Sequence, residues 1–322
     1  MQHLDSRSQE STEASISAMS SKCMRRPWIV LILFLYIPCS LANDDCNPAS
    51  DASRIAVAGG SITEIIYELG RESQLVAVDR TSNFPAPARS LPSVGYVRNL
   101  SAEGILSLRP TIVVGEDDMG PPEVLEQLAS VSIDIRRVPE AHSPEGIVEK
   151  FRCVASLLGL SDQEASAHLD KLSRSVNAIR GFAAQLRDQS AASITVILNV
   201  QGGLPIVAGV GTSGDGVIKM IAATNAFGSV EGWKPASREA FLAANPDHIV
   251  ITQRGFDMAG GMDGLSEVIG IASTDAFKEG RVHVVDGMSL LGYGPRTLNV
   301  ALDLFASIFP DAGKGSPRKT DE

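Results

Sequence analysis

The chain has 322 residues, which exceeds one small module and fits two domains of about 100–200 residues each. Hydrophobic residues make up 44% and charged residues 20%, with 29 Gly and 17 Pro. This ordinary globular composition excludes collagen-like, disulfide-dense and wholly disordered proteins. The formal net charge of −10 argues against nucleic-acid binding through a broad basic surface.

The N-terminal region has the residue pattern of an export signal. An apolar run, Trp28–Ile37, directly follows Lys22, Arg25 and Arg26. The run is shorter than the roughly 20 residues that a membrane-spanning helix needs. A basic flank, a short apolar run and small residues after it predict a Sec-type signal peptide cleaved after Ala42. Residues 1–42 are therefore assigned to this signal and an N-terminal extension, which predicts a periplasmic protein that is not embedded in the membrane.

The cysteines leave two questions open. A lipoprotein anchor is disfavoured because Cys39 follows Pro38 and Cys46 follows two acidic residues. After removal of residues 1–42, Cys46 and Cys153 remain. Export makes a disulfide between them chemically possible. Two unpaired thiols agree with the sequence equally well.

After a linker at 43–53, short apolar strands alternate with helical segments, which predicts an α/β lobe over residues 54–160. The predicted strands are Ile55–Ala58, Leu75–Val78, Thr111–Val114 and Ile133–Arg136. The predicted helices are Ser61–Leu69, Ala102–Leu108, Pro122–Ser130 and Pro144–Leu158.

A long amphipathic segment follows, and then a second α/β lobe. Apolar residues at three-to-four spacing predict one helix over Ser161–Arg187, within a bridging segment at 161–190. The second lobe covers 191–310, and the Gly-, Pro- and Lys-rich tail at 311–322 is predicted to be disordered. The second lobe has predicted strands Ile194–Leu198, Ile206–Ala208, His248–Thr252 and Val282–Val285, and helices Gly214–Ala222, Ser237–Ala244, Gly264–Ile269 and Pro295–Phe309. The expected fold is therefore two α/β lobes with mainly parallel sheets joined by one long helix.

One internal similarity relates the two lobes. Leu100–Val114 and Ala236–Val250 each contain Ser-x-Glu, a helical turn, Pro and then a strand. The serines, Ser101 and Ser237, are predicted N-caps, and the glutamates lie in the first helical turn.

Familiar catalytic and nucleotide-binding motifs are missing from the sequence. Gly59-Gly60-Ser61 follows the first strand, where backbone N–H groups can bind an anion, but a tight turn with Ser61 as N-cap is the simpler interpretation. Neither H-E-x-x-H, C-x-x-C nor G-x-S-x-G occurs, and the histidines after residue 42 are scattered singly.

Tyr96 is the most informative candidate for chemistry. It lies between a Pro-rich segment and a predicted helix start, with Arg98 two residues later. A phenol ionises in water at a pKa of about 10, but a metal ion or a nearby guanidinium favours the phenolate. Phenolate is one of the protein ligands that hold haem iron. A surface pair of Tyr and Arg is the alternative that the residues alone leave open.

Residues Arg54 to Phe309 resemble the periplasmic haem-binding proteins of bacterial haem-uptake ABC transporters. These proteins belong to the helix-bridged class that also serves vitamin B12 and ferric siderophores. The similarity is carried by Gly59–Tyr67 (GGSITEIIY), Val94–Glu103 (VGYVRNLSAE), Gly120–Leu125 (GPPEVL) and Ala208–Thr212 (AGVGT). The run Gly-Tyr-x-Arg-x-Leu-Ser-Ala-Glu distinguishes the haem branch.

The resemblance implies a transport receptor that is not an enzyme. It implies that Tyr96 is the axial ligand of ferric haem (haem b) in the cleft between the lobes, that Arg98 contacts the phenolate or a haem propionate, and that Arg254 is the basic residue of the second lobe. Some family members add a His after the first strand of the second lobe, where this chain has Asn199-Val200-Gln201. The resemblance therefore implies five-coordinate iron or a sixth ligand that is not identified.

The same resemblance implies a membrane partner. In the wider class, one Glu on each lobe meets Arg residues of the inner-membrane ABC permease, and Glu103 and Glu239 occupy the matching positions. Two other functions remain: a binding protein for vitamin B12 or a ferric siderophore, and an exported α/β enzyme acting on an anionic substrate. No nucleophile–base pair or metal-ligand cluster in the sequence supports the enzyme.

Overall fold

The computed structural model of this chain describes residues 44–186, 192–268 and 270–310. The predicted signal peptide and the predicted disordered tail lie outside these ranges, as does Arg187, the expected last residue of the long helix. No helix within the described ranges is both long and apolar enough to cross a membrane.

The first lobe is built on a four-stranded parallel sheet in the order β2-β1-β5-β6. Its strands, with the short hairpin β3–β4, are β1 Ile55–Ala58, β2 Leu75–Val78, β3 Gly95–Tyr96, β4 Asn99–Leu100, β5 Ile112–Glu116 and β6 Asp134–Val138. Its helices are α1 Gly60–Glu68, α2 Ala102–Ser107, α3 Pro122–Ser130 and α4 Pro144–Leu157. The four long strands and four helices match the predicted elements, because continuous apolar runs such as β1 are buried on both faces. The hairpin was not predicted.

The second lobe contains a mixed sheet in the order β10-β8-β7-β11-β12, with β9 beside β7. Between the lobes lies α5 Ser166–Gln185. The strands of the second lobe are β7 Ser193–Gln201, β8 Leu204–Ala208, β9 Thr224–Asn225, β10 Trp233–Pro235, β11 His248–Thr252 and β12 Val282–Val285. Its helices are α6 Ser213–Met220, α7 Arg238–Ala244, α8 Gln253–Ala259, α9 Gly261–Glu267, α10 Asp275–Lys278, α11 Gly287–Leu291 and α12 Pro295–Ile308.

An antiparallel hairpin sets this second sheet apart from the first. β7 and β8 are joined by Gly202 and Gly203, whose φ angles are 58° and 80°. Two consecutive residues at positive φ make the tight turn that joins antiparallel neighbours, whereas parallel neighbours need a crossover. The sheet is therefore parallel only across β9, β7, β11 and β12.

The bridging helix α5 begins later than predicted, at Ser166 instead of Ser161. Before it, the Glu164 carboxylate accepts hydrogen bonds from the backbone N–H and the hydroxyl of Ser161, at 2.8 and 2.7 Å. The Ser161 hydroxyl in turn accepts from the Glu164 N–H at 3.3 Å. These reciprocal bonds form a separate turn, which an apolar periodicity alone does not distinguish from helix.

The lobes are joined by more than this helix. α5 packs against α4 of the first lobe and against α12, which returns from the second lobe to contact α1 and α4. The stacked rings of Phe182 and Phe305, with centroids 4.5 Å apart, lie in this contact. One buried apolar cluster consequently runs through both lobes, from β1 and α1 to β7 and α12.

The segment before the first strand is fastened to the first lobe. Cys46 and Cys153 form a disulfide that links it to α4, and the Ala49 N–H donates to the Leu157 carbonyl at 3.0 Å. This settles the pairing that the sequence left open. Because Cys46 is disulfide-bonded, it is not a free thiol for a lipid anchor.

The histidines are not all solitary, contrary to the sequence interpretation. β11 and β12 are paired parallel, and this places Nδ1 of His248 3.0 Å from Nε2 of His283. Burial, together with the charge of His283, lowers the pKa of His248 to about 4. The residues are 35 positions apart, so strand pairing alone brings them together.

Removal of the disulfide tests how far the N-terminal segment stabilises the lobe. We expect Cys46→Ser with Cys153→Ser to lower the free energy of unfolding by about 2–4 kcal/mol, because the bridge closes a long loop in the unfolded chain. Urea unfolding under oxidising conditions measures the difference. Wild-type protein with dithiothreitol should behave like the double variant, and equal stability in all three samples would contradict the expectation.

Candidate ligand-binding cleft

A cleft of about 1140 Å³ lies between the two sheets. Both lobes contribute to its walls. Its lining includes Arg80, Tyr96, Arg98, Glu116, Asp118, Glu140, His142, Asn199, Trp233, Gln253, Arg254, Asp257, Met258, Asp286 and Met288.

The cleft forms where the carboxyl ends of parallel strands from both lobes meet. Glu116 is the last residue of β5, Gln253 follows β11, and Asp286 follows β12; all three line the cleft. Loops at the carboxyl ends of parallel strands are where open α/β sheets bind ligands. The fold therefore places its variable polar side chains at this position and keeps the apolar strands behind them.

Tyr96 is on the first-lobe wall, in the hairpin β3–β4, where it pairs with Asn99. The hairpin needs Gly95, whose φ is +105° and where a Cβ atom would come within 2.7 Å of the Asn99 carbonyl oxygen. Backbone bonds hold both sides of it: the Arg80 N–H donates to the Gly95 carbonyl, and the Gly120 N–H to the Val97 carbonyl. The phenol is thus presented from a fixed backbone, with 38% of the residue surface exposed.

Arg98 binds the phenol and a carboxylate at the same time. Its Nη1 donates to the Tyr96 hydroxyl oxygen at 2.6 Å, and its Nη2 is paired with Oδ2 of Asp118. Burial opposes the charge of the guanidinium, but Asp118 and Tyr96 outweigh burial and raise the pKa of Arg98. The Tyr–Arg pair predicted from the sequence is formed, and a third member has joined it.

Two further arginines line the cleft. Arg254, on the second-lobe wall, is the second residue of α8, which is capped by the Thr252 hydroxyl accepting from the Gly255 N–H at 3.0 Å. Arg80, two residues after β2, is exposed on the first-lobe wall. Within the described ranges, neither side chain has a carboxylate in salt-bridge range, so both can meet anionic groups of a ligand.

The floor of the cleft is a buried polar network. Lys150 is 1% exposed and donates to Ser61 Oγ at 3.1 Å, to Glu140 Oε2 at 2.8 Å and to the Gly292 carbonyl at 3.1 Å. The Ser61 hydroxyl donates to Glu116 Oε1 at 3.0 Å. Gly292 belongs to the second lobe and the other members to the first, so the network joins the lobes.

The two glutamates of this network have pKa values shifted in opposite directions. Burial raises the pKa of Glu116 to about 7, although Lys150 acts against it. Burial also acts on Glu140, but bonds from His142 and Lys150 outweigh it and lower the pKa of Glu140. Near neutral pH Glu140 is therefore ionised, whereas Glu116 is partly protonated.

The glycine turn after β1 does not offer free N–H groups to a ligand. The Gly59 N–H donates to Asp79 Oδ1 at 3.2 Å, and the Gly60 N–H donates to Thr81 Oγ1 at 2.9 Å. The expectation that Ser61 caps the helix is wrong, since α1 begins at Gly60 and its N-cap is Gly59. Ser61 instead turns its hydroxyl into the floor network.

Glu103 and Glu239 lie outside the cleft. Both are exposed in the first turn of a short helix, α2 and α7. The predicted serine caps are confirmed: Ser101 accepts from the Gly104 N–H at 3.1 Å and Ser237 from the Ala240 N–H at 3.3 Å. The similarity between the two segments extends past the helices, because Arg109 and Asn245, at equivalent positions before the Pro, both have positive φ.

Sequence reasoning missed Arg80, Asp118 and the floor network. Arg80 and Asp118 both follow shortly after a predicted strand, so the rule about carboxyl strand ends would have marked them as candidates. No comparable signal identifies Lys150, which lies in the middle of an amphipathic helix and finds its partners on distant elements of both lobes.

The cleft combines apolar surface with groups that can bind a cation and groups that can bind anions. Trp233, Met258 and Met288 supply apolar surface. The Tyr96 oxygen is a potential anionic donor, and Arg80 and Arg254 are cations for carboxylates. No group of three or more His, Cys, Asp or Glu side chains that could hold a metal ion occurs in the ranges that the structure describes.

Comparison with known proteins identifies the family. The family model described as periplasmic binding protein matches residues 55–287, and the chain belongs to this family. An uncharacterized ABC transporter substrate-binding lipoprotein of Bacillus subtilis, YvrC, is 25% identical over 276 residues, 85% of either chain. A vitamin B12-binding protein of Pectobacterium carotovorum is 28% identical over 194 residues, 59% of this chain and 67% of that protein.

Solved structures with higher sequence identity match about four fifths of the chain. The periplasmic heme-binding protein RhuT from Roseiflexus sp. RS-1, in apo form, has a TM-score of 0.75 and 33% identity, and the match covers 81% of this chain and all of RhuT. The periplasmic heme-binding protein BhuT, solved with two hemes, has a TM-score of 0.74 and 33% identity over 80% of this chain and 98% of BhuT. The expected helix-bridged fold is confirmed, and the chain is a substrate-binding protein and not an enzyme.

The raised pKa of Glu116 predicts a pH-dependent effect of Glu116→Gln. From about pH 4.5 to 7 the folded protein holds a proton that the unfolded chain has released, so this group favours the folded state more as the pH falls. Gln is permanently neutral, and we expect the variant to be more stable than wild type by about 1–2 kcal/mol at pH 8. The gap should close by pH 5. Urea unfolding across this range measures it, and a gap that does not change with pH would contradict the assignment.

Proposed function

We propose that this periplasmic binding protein is a haem receptor. It binds ferric haem between its lobes through the Tyr96 phenolate and delivers it to an inner-membrane ABC permease. The observation that carries the proposal is the Tyr96 oxygen on the cleft wall, with the Arg98 guanidinium 2.6 Å away. A guanidinium at this distance stabilises the phenolate, which is the form that binds ferric iron.

The charges around the cleft support haem as the ligand. Ferric iron is the cationic centre that an anionic oxygen holds, and the two propionates are carboxylates for Arg80 and Arg254. The volume of about 1140 Å³ lies just above the roughly 300–1000 Å³ of typical small-ligand pockets, so the cleft has room for a ligand as large as haem. No second axial ligand is assigned, because Asn199 stands on the second-lobe wall where some family members have histidine.

Binding of vitamin B12 or a ferric siderophore is the second candidate, favoured by similarity to vitamin B12-binding proteins. In those ligands the metal arrives with its coordination largely satisfied, so they would make no use of an anionic Tyr96. The heme-binding structures also match more of this chain than the vitamin B12-binding protein does, 81% against 59%. We therefore favour haem.

The proposed location is the periplasm, reached through a Sec-type signal peptide cleaved after Ala42. The Cys46–Cys153 disulfide supports this location, because disulfides persist in oxidising compartments such as the periplasm. In the mature protein, Glu103 and Glu239 would meet arginines of the permease. Their exposure on equivalent helices, one in either lobe, supports that role.

Tyr96→Phe tests the iron ligand. It keeps the ring and removes only the oxygen, so we expect the affinity for ferric haem to fall by roughly 100-fold or more, since changes around a metal ligand alone cost about 10–100-fold. Arg98→Ala should cost less, because one charge-assisted hydrogen bond contributes about 1.5–3 kcal/mol. Absorption titration of the apoprotein with ferric haem measures both affinity and the number of haems bound.

Tyr67→Phe is the matched control, because Tyr67 lies on α1 and does not line the cleft. It should leave the titration unchanged. An unchanged Soret band and affinity in Tyr96→Phe would refute the axial-ligand assignment. Parallel titrations with cyanocobalamin and a ferric siderophore distinguish the second candidate, which predicts saturable binding of one of these and none of haem.

Glu103→Ala with Glu239→Ala tests permease docking. Losing a helix-dipole contact costs only about 0.3–1 kcal/mol per residue, so haem binding and folding should be retained. Truncating one partner of a charge pair at an interface costs about 2–5 kcal/mol, so delivery to the permease should be abolished. Haem transfer into permease-containing vesicles, measured beside a binding titration, gives both readouts.

Glu123→Ala with Asp263→Ala provides the control for that experiment. These residues are also exposed acids in the first turn of a helix, α3 and α9, one in each lobe. Transport should be normal with this control pair. If the Glu103→Ala, Glu239→Ala variant also transports haem normally, the docking role is refuted and both glutamates serve only at the starts of their helices.

A further inference from the structure

We propose that Asp118 is a positioning residue for the iron ligand: its carboxylate holds the Arg98 guanidinium against the Tyr96 oxygen. The inference rests on the proposed haem function and adds a third member, Asp118, to the Tyr96–Arg98 pair. It also assigns Arg98 to the phenolate and leaves the propionates to the other two arginines.

The contacts of Arg98 show why a third residue is needed. Nη1 donates to the Tyr96 oxygen and Nη2 binds Oδ2 of Asp118, so two nitrogens of one planar group serve two partners. The side chain of Arg98 is 59% exposed. An exposed arginine with a single partner samples several rotamers, whereas a guanidinium held at two of its nitrogens keeps its plane and direction.

Asp118 itself is fixed to the hairpin that carries Tyr96. It lies in the loop between β5 and α3, two residues before Gly120. The Gly120 N–H donates to the Val97 carbonyl at 2.9 Å, and the Gly120 carbonyl accepts from the Leu100 N–H at 2.8 Å. These backbone bonds join the loop to the turn and to β4 of the hairpin, so the backbone that carries Asp118 is held beside the backbone that carries Tyr96 and Arg98.

The arrangement separates the roles of the cleft arginines. With Asp118 and Tyr96 both bound, Arg98 has its charge already matched and has little to offer a propionate. Arg80 and Arg254 carry no such carboxylate partner within the described ranges, so the ligand's carboxylates are better served by them. The iron end and the propionate end of the ligand are thereby recognised by different residues.

The decisive experiment is a double-mutant cycle with Asp118→Asn and Arg98→Ala, read by ferric-haem titration and by the phenolate-to-iron charge-transfer band. In the wild-type background we expect Asp118→Asn to weaken binding about 3- to 10-fold and to move the band in the same direction as Arg98→Ala. In the Arg98→Ala background, Asp118→Asn should change the affinity less than about 2-fold and leave the band in place.

Asp257→Asn is the matched control. Asp257 also lines the cleft, but its Oδ1 accepts from Gln253 Nε2 at 2.8 Å and it does not contact Arg98. This change removes the same charge from the cleft, so any effect should be equal in both backgrounds and without a band shift. Asp118→Glu, which keeps the carboxylate, should restore at least half of the lost affinity.

An Asp118→Asn effect of equal size in both backgrounds, or no change in affinity and band, overturns the proposal. Asp118 is 44% exposed and Asn has nearly the same shape, and circular dichroism verifies the fold of each variant. If Asp118→Asn does not fold, Asp118→Glu is titrated instead in the Arg98→Lys background. A lysine cannot bind the Tyr96 oxygen and the carboxylate at the same time, so Asp118→Glu should not change the haem affinity in that background. Failure of haem binding in wild type refutes the haem function itself, which is a separate result.

Discussion

The arrangement of the two lobes depends on the hydrogen bonds of one buried group, the ammonium of Lys150. A charge removed from water is costly unless it is paired and fully hydrogen-bonded. Lys150 satisfies this requirement only with Ser61 and Glu140 from the first lobe and the Gly292 carbonyl from the second. Separating the lobes would leave the ammonium without one of its three acceptors, so the floor of the cleft has one preferred width.

A second ion pair reinforces this connection. Arg296, in α12, donates to Oε1 of Glu64 in α1 through Nε at 2.9 Å and is also paired with Asp286. Together with the continuous apolar cluster along α5 and α12, these polar contacts oppose wide opening of the lobes.

The floor and the walls of the cleft carry different polar groups. The floor holds the carboxyl groups of Glu116 and Glu140 beside Lys150, whereas the walls carry the phenol and the arginines. An anionic ligand is therefore not drawn to the floor. Its carboxylates are attracted to the walls, and a cationic centre is attracted to the Tyr96 oxygen. The walls thus offer the Tyr96 oxygen to a cationic centre and Arg80 and Arg254 to carboxylates.

The sequence by itself determined the order of the main strands and helices, the serine caps at Ser101 and Ser237, and the Tyr96–Arg98 pair, but it did not predict the short elements β3, β4, β9, β10, α8, α10 and α11. These depend on residues that are close in the chain: apolar runs, helix starts and a two-residue spacing. The later start of α5 escaped it, because the turn over Ser161 and Glu164 also fits a helical pattern.

Only the tertiary structure decided which distant residues meet. Asp118 reaches Arg98 because the β5–α3 loop is hydrogen-bonded to the hairpin, and Lys150 is buried where α1, Glu140 and the second-lobe Gly292 meet α4. The pairing of Cys46 with Cys153, 107 residues apart, and the contact of His248 with His283 have the same origin. Such contacts follow from the packing of whole elements, and no local pattern of residue types records them.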